Sequence, residues 1–172
     1  MSIEPEAYVS AIISSAGGSL VSRIRLQKIA YLLDKITADS KFHYTYHHYG
    51  PYSRDLDNAI LDAEAFGLIE ENYERRKSDG ARYSVFKTLE ETQSLAPPLS
   101  AKQKSLVSQF SKVNVTVLEL AATAHWLAFE EKVGDWHSEI IQRKGSKTEA
   151  GRLDKAVKLL QDLGINLPGT TN

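Results

Sequence analysis

Apolar residues fall at helical spacing along most of the chain. After Ser22, residues Leu26, Ile29, Ala30, Leu33 and Ile36 recur at three- and four-residue intervals, while Arg23, Arg25, Lys28 and Lys35 fall largely on other faces. That spacing predicts an amphipathic helix. An earlier helix is predicted from Pro5, well placed in a first turn, through Ala7, Ala11, Ile12 and Ile13 to a stop at Gly17-Gly18. The period changes over Phe42–Tyr49, where Phe42, Tyr44, Tyr46 and His48 share one side of an extended chain and predict a strand. Gly50-Pro51 breaks that strand, Ser53 caps the next helix, and Leu56, Ile60, Ala63 and Phe66 mark its buried stripe before Gly67. Leu68-Ile69 then opens an extended run that resumes at Tyr83, Val85 and Phe86, and Asp79-Gly80 between the two runs signals a β-hairpin.

The second half reads as helical throughout. Ser100 caps a helix through Phe110, and Asn114 or Thr116 caps another whose residues Val117–Phe129 are apolar almost all round, as expected of the buried centre of a bundle. Asp135 caps a helix carrying Trp136, Ile140 and Ile141. Ser146 and Glu149 fit a capping box opening the last helix, with stripe Ala150, Leu153, Ala156, Val157, Leu160 and Leu163 and a stop at Gly164. The expected fold is therefore α+β and mostly helical. A winged-helix-like part with a β-hairpin spans 1–92, a Pro-Pro linker 93–99, a helical part packed on the first 100–165, and a loose tail 166–172.

The chain has no cysteine, which removes disulfides, thiolate zinc sites and a cysteine nucleophile and makes a reducing cytoplasm the default compartment. No apolar run is long enough for a membrane span or a signal h-region, so no membrane partner is expected. Catalytic signals are weak. His43 and His47 would share a strand face but stand about 13–14 Å apart at ~3.4 Å per residue, too far for one metal ion. His125 sits in the apolar helix and His137 follows Trp136, and neither has an assignable acid partner. Gly17-Gly18 lacks the later glycine of a dinucleotide loop, and no phosphate loop or nucleophile elbow is present. The expectation is a chain with no enzyme activity, cofactor or metal.

Charge separates two binding readings. Net charge is −1, from 21 basic and 22 acidic residues, without the excess of a nucleic-acid coat protein. The helix Ser53–Phe66, which would enter a major groove in a winged-helix reading, carries Arg54 against Asp55, Asp57, Asp62 and Glu64 and would be repelled by phosphate. Two basic groups remain as candidates for a partner or a nucleic acid: Arg75, Arg76, Lys77 and Arg82 on the hairpin, and Arg143, Lys144, Lys147 and Arg152 near the last two helices. For the hairpin group a solvated face of mixed charge is an equal reading, and for the second group it is the plainer one.

The pieces Leu26-Gln27-Lys28-Ile29-Ala30-Tyr31 and Tyr49-Gly50-Pro51-Tyr52-Ser53, followed by Gly67-Leu68-Ile69 and Tyr83, resemble in order and spacing the SocA-like, or Panacea, antitoxin-associated domain. The pattern also resembles a group of uncharacterised bacterial and archaeal proteins with a winged-helix expectation. It covers about residues 22–90. The resemblance implies a regulatory module of toxin–antitoxin or phage-associated systems that neutralises a toxin by contact, or delivers it to a protease as an adaptor. Leu26, Gln27, Lys28, Tyr31, Gly50, Pro51 and Gly67 would then be family-pattern positions with structural roles. The alternative is a winged-helix transcriptional regulator that binds DNA.

Overall fold

The computed structural model describes residues 4–89 and 99–169 and is an α+β fold, mostly helical, with small antiparallel sheets. Its elements run α1 (Pro5–Ser15), β1 (Ser19–Val21), α2 (Arg23–Ile36), β2 (Thr45–His47), β3 (Gly50–Tyr52), α3 (Arg54–Ala65), β4 (Ile69–Arg75) and β5 (Arg82–Thr88). The second half holds α4 (Ala101–Ser111), α5 (Val115–His125) with a π-turn over Trp126–Glu130, α6 (Trp136–Lys144), a 3-10 turn (Gly145–Thr148) and α7 (Arg152–Asp162). The first sheet has the order β1-β5-β4 with both pairings antiparallel. Its β4–β5 hairpin closes through Asp79, whose carboxylate accepts from the Ala81 N–H, and through Gly80 at φ +71°.

Helix starts follow the local chemistry that the sequence displays. Ser22, Ser53, Ser100, Asn114 and Asp135 each accept a backbone N–H of the first turn, and Ser100 with Gln103 forms a reciprocal box. The expected box at Ser146 and Glu149 does not form. Glu149 is extended, and α7 begins three residues later behind Gly151 in the left-handed region. Arg152 instead satisfies the preceding turn, donating to the Ser146 and Lys147 carbonyls at 2.7 and 2.8 Å, and α7 has no side-chain cap.

The strand expected over Phe42–Tyr49 also differs. Only Thr45–His47 is extended in a ladder, and Gly50-Pro51, read as a break, is the returning strand of a two-stranded hairpin with His47 opposite Gly50. Phe42 and Tyr44 lie before the ladder and are buried. The hairpin is set by a tight turn at His48-Tyr49 and by contacts to α2 and α5, neither of which has a signature in local period.

One continuous core joins both halves of the chain. α5 lies at its centre, fully buried from Val117 through His125, and packs on α2 and α7; α4 packs on α1 and α2. Of the linker expected over 93–99 only Leu99 is among the described residues, and it is buried against this core. The tail expected to be loose from Asn166 is anchored as far as Pro168: Leu167 is buried, and the Trp136 indole donates to the Pro168 carbonyl at 2.7 Å. An apolar side chain at the end of a helical bundle gains more by burial than by remaining in water. No helix among the described residues is long and apolar enough to cross a membrane.

Candidate binding cleft

The two motif pieces of the first half bond to each other. Gln27 on α2 donates Nε2 to the Ser53 carbonyl and accepts the Ser53 N–H on Oε1, both at 2.9 Å, so one side-chain amide satisfies both backbone groups of the α3 cap residue. Lys28, one residue on, is 1% exposed and donates Nζ to the Pro51 carbonyl at 2.5 Å. Burial pulls its pKa down to about 7, with Lys144 and Lys147 acting in the same direction and Glu119 opposing them. Tyr31, one helical turn later, places its hydroxyl 2.8 Å from His125 Nδ1. Burial pushes that imidazole down to about 4, and Lys35 adds to the shift. Gly50 closes the junction: at φ +90° its Cα faces Thr123 of α5 so closely that a Cβ would overlap the Thr123 hydroxyl.

A second polar seam joins the β2–β3 hairpin to the C-terminal helices through Glu119, the one carboxylate of α5. Glu119 accepts from Lys144 at 2.8 Å and from Lys147 at 3.1 Å, and Lys144 also donates to the His48 carbonyl at 3.0 Å. Glu119 and Lys144 are both buried, so the ion pair stands in a medium where each charge needs the other. Nearby, Arg143 bonds Glu131 twice, at 2.8 and 2.9 Å, and Glu139 at 2.7 Å, and stacks over Tyr46 at 4.8 Å. A third network holds Arg23 against Asp57 and Glu71 at 3.2 and 2.7 Å, with Tyr52 donating to Asp57 at 2.5 Å.

These networks decide which of the sequence's basic candidates remain available. Arg143, Lys144, Lys147 and Arg152 are engaged inside the molecule, by carboxylates or by backbone carbonyls, Lys147 with its side chain still 39% exposed. On the hairpin, Arg75 donates to the Gly80 carbonyl at 3.0 Å and Lys77 is exposed in the turn. Arg76, Arg82 and Lys147 come together at one cleft of about 730 Å³, although they belong to the two separate basic groups of the sequence. Its walls are Val21, Ile24, Tyr49 and Val115, contributed by β1, α2, the β2–β3 turn and the start of α5. A smaller pocket of about 400 Å³ shares Ile24 and Tyr49 with it and reaches Gln27 and Lys28.

Arg82 stacks over the Tyr73 ring at 4.2 Å, Arg76 pairs with Asp79 at 2.7 Å, and Lys147 lies 4.9 Å from the Tyr49 ring centre. Among the described residues no group of three metal-ligating side chains converges, and His43 lies before β2 rather than on a shared strand face with His47. The sequence reading missed Arg23, Asp57, Glu71 and Glu119. Glu119 had a signal, since a lone carboxylate in an otherwise apolar helix must find a cation, but its partners lie 25 and 28 residues away. Compared with protein-family models and with curated proteins, the chain has no match.

Proposed function

We propose that this chain is a non-enzymatic, antitoxin-like regulatory module of the SocA or Panacea type, acting in the cytoplasm by binding a protein partner, in this reading a toxin. The observation that carries the choice of a protein over DNA is the outer face of α3. Leu61 on α3 is 57% exposed, and Phe66 at its C-cap, expected in the buried stripe, is 68% exposed, near exposed Asp55, Asp62 and Glu64 and a single exposed base, Arg54. Large apolar side chains ringed by carboxylates suit a protein surface with basic residues, while the same carboxylates oppose approach to phosphate. The resemblance gains support from the contact between its two motif pieces, Gln27 with Ser53 and Lys28 with Pro51, which fits one structural unit.

The test is co-expression with the product of the neighbouring gene. Wild-type chain is expected to restore growth against a toxic neighbour and to co-purify with it after nuclease treatment. Leu61→Asp plus Phe66→Asp is expected to lose both effects while remaining folded. Recovery of DNA alone, sensitive to nuclease, overturns the reading.

A winged-helix regulator that binds DNA is the second reading, favoured by the β1-β5-β4 order and by Arg76 and Arg82 on the β4–β5 hairpin. It predicts salt-sensitive duplex binding weakened by Arg75→Ala plus Arg76→Ala.

A further inference from the structure

We infer that the cleft beneath the β4–β5 hairpin takes an extended acidic segment of a protein partner. The inference rests on the protein-binding reading above but concerns a surface that shares no residue with the exposed apolar pair of α3.

The charge balance of the cleft is one-sided. Arg76, Arg82 and Lys147 stand at its rim, and the one carboxylate lining it, Glu119, is already shared between Lys144 and Lys147. Arg82 has no ion-pair partner among the described residues and is held by the Tyr73 ring instead. Arg76 pairs with Asp79 three residues away through two hydrogen bonds, at 3.0 and 2.7 Å, with both side chains more than half exposed. An incoming carboxylate therefore meets Arg82, which has no carboxylate of its own, with Arg76 and Lys147 lining the same cleft.

The walls select the form of the anion. Val21, Ile24 and Val115 give the cleft an apolar floor, and Val21 is 46% exposed on β1, the outer strand of its sheet. An extended peptide laid beside such a strand sends alternate side chains to opposite sides. Apolar residues would then cover Val21 and Ile24 while the intervening carboxylates reach the cations. A nucleic acid uses these features less well: its run of phosphates would find few cations, since Arg25, the fourth basic residue lining the cleft, is taken by the Phe110 and Val113 carbonyls, and the acidic residues of α3 add repulsion.

The test uses a fluorescent peptide of alternating Glu and Val on the full chain, read by anisotropy at low and at physiological salt, beside a Lys–Val peptide and a single-stranded thymidine oligonucleotide of equal length. The Glu–Val peptide is expected to bind, and the Lys–Val peptide is not. Arg76→Glu plus Arg82→Glu, two exposed positions of the cleft outside the Glu119 seam, is expected to weaken binding by about tenfold or more. Lys158→Glu, an exposed site outside the cleft that carries half that change of net charge, is expected to leave it within about twofold.

Tighter binding of the oligonucleotide, an equal loss in Lys158→Glu, or peptide binding that survives the double substitution overturns the inference. Leu61→Asp plus Phe66→Asp is expected to leave the peptide bound. Loss of the native partner in that variant with the peptide retained separates the two surfaces. Failure of the native partner to bind wild-type chain would remove the functional reading and leave the peptide result standing.

Discussion

Replacing Gly50 with alanine tests a close approach between the two halves of the molecule. Two costs are expected. The residue sits at φ +90°, where an L side chain is strained by about 1–2 kcal/mol. The new Cβ also overlaps the Thr123 hydroxyl, and overpacking of that kind in a closed core costs roughly 1–3 kcal/mol. The two terms separate because Thr123 Cβ stands 3.6 Å from the new atom, an ordinary contact, so Thr123→Ala removes the overlap and leaves the backbone strain.

Thr123 Oγ1 is buried without a hydrogen-bond partner, so its loss removes no bond. Urea unfolding of wild type, both single variants and the double variant, followed by far-UV circular dichroism, gives the coupling energy. It is expected to be favourable by roughly 1–3 kcal/mol, with the double variant clearly more stable than Gly50→Ala alone. A coupling near zero would refute the steric reading and leave only the backbone term.

Other substitutions probe the buried charges. Glu119→Gln strands Lys144 in the core and is expected to cost about 3–5 kcal/mol in urea unfolding, more than Lys144→Met combined with Glu119→Leu, which removes both charges. Lys28 holds its proton less tightly in the folded state than in the unfolded chain, so its contribution is present above pH 10.5 and is lost as pH falls through about 7. Lys28→Met is expected to remove about 4–5 kcal/mol of that rise in stability with pH. His125, pulled down to about 4, has the same sign, and its contribution of about 3 kcal/mol is present above pH 6.5 and is lost as pH falls through 4. His125→Gln is expected to flatten the stability profile over that window. Asn114→Ala is expected to cost about 1 kcal/mol by uncapping α5, with no change in m-value.

What could be read from sequence was what short-range chemistry settles. Ser53, Ser100, Asn114 and Asp135 cap the helices they were expected to cap, because a cap needs only an oxygen and an N–H three residues on. The mostly apolar stretch from Val117 became the buried centre because no exposed arrangement of it is stable. Ser146–Glu149 has the residues of a box, yet Glu149 is extended and the helix starts only at Arg152, behind Gly151 in the left-handed region, while the Arg152 guanidinium bonds two carbonyls of the preceding turn.

The cleft could not be read at all as a unit. Arg82 and Lys147 are 65 positions apart, and the basic cluster that promised most, Arg143 to Arg152, is largely consumed by Glu131, Glu139, Glu119 and nearby carbonyls. Charge in a sequence shows supply, and only the fold shows what has already been spent.

The Lys144 ammonium, held at once by Glu119 and by the carbonyl of His48, also bears on folding cooperativity. The β2–β3 hairpin is too short to stand alone, and its tip is fastened by a residue nearly a hundred positions further along the chain. The amide protons of that hairpin should therefore exchange with solvent only when the C-terminal helices let go, and the two halves should melt in a single transition. A fragment ending before Ala101 would lack α5 and Lys144 and should show the hairpin amides unprotected, whatever becomes of α1 and α2.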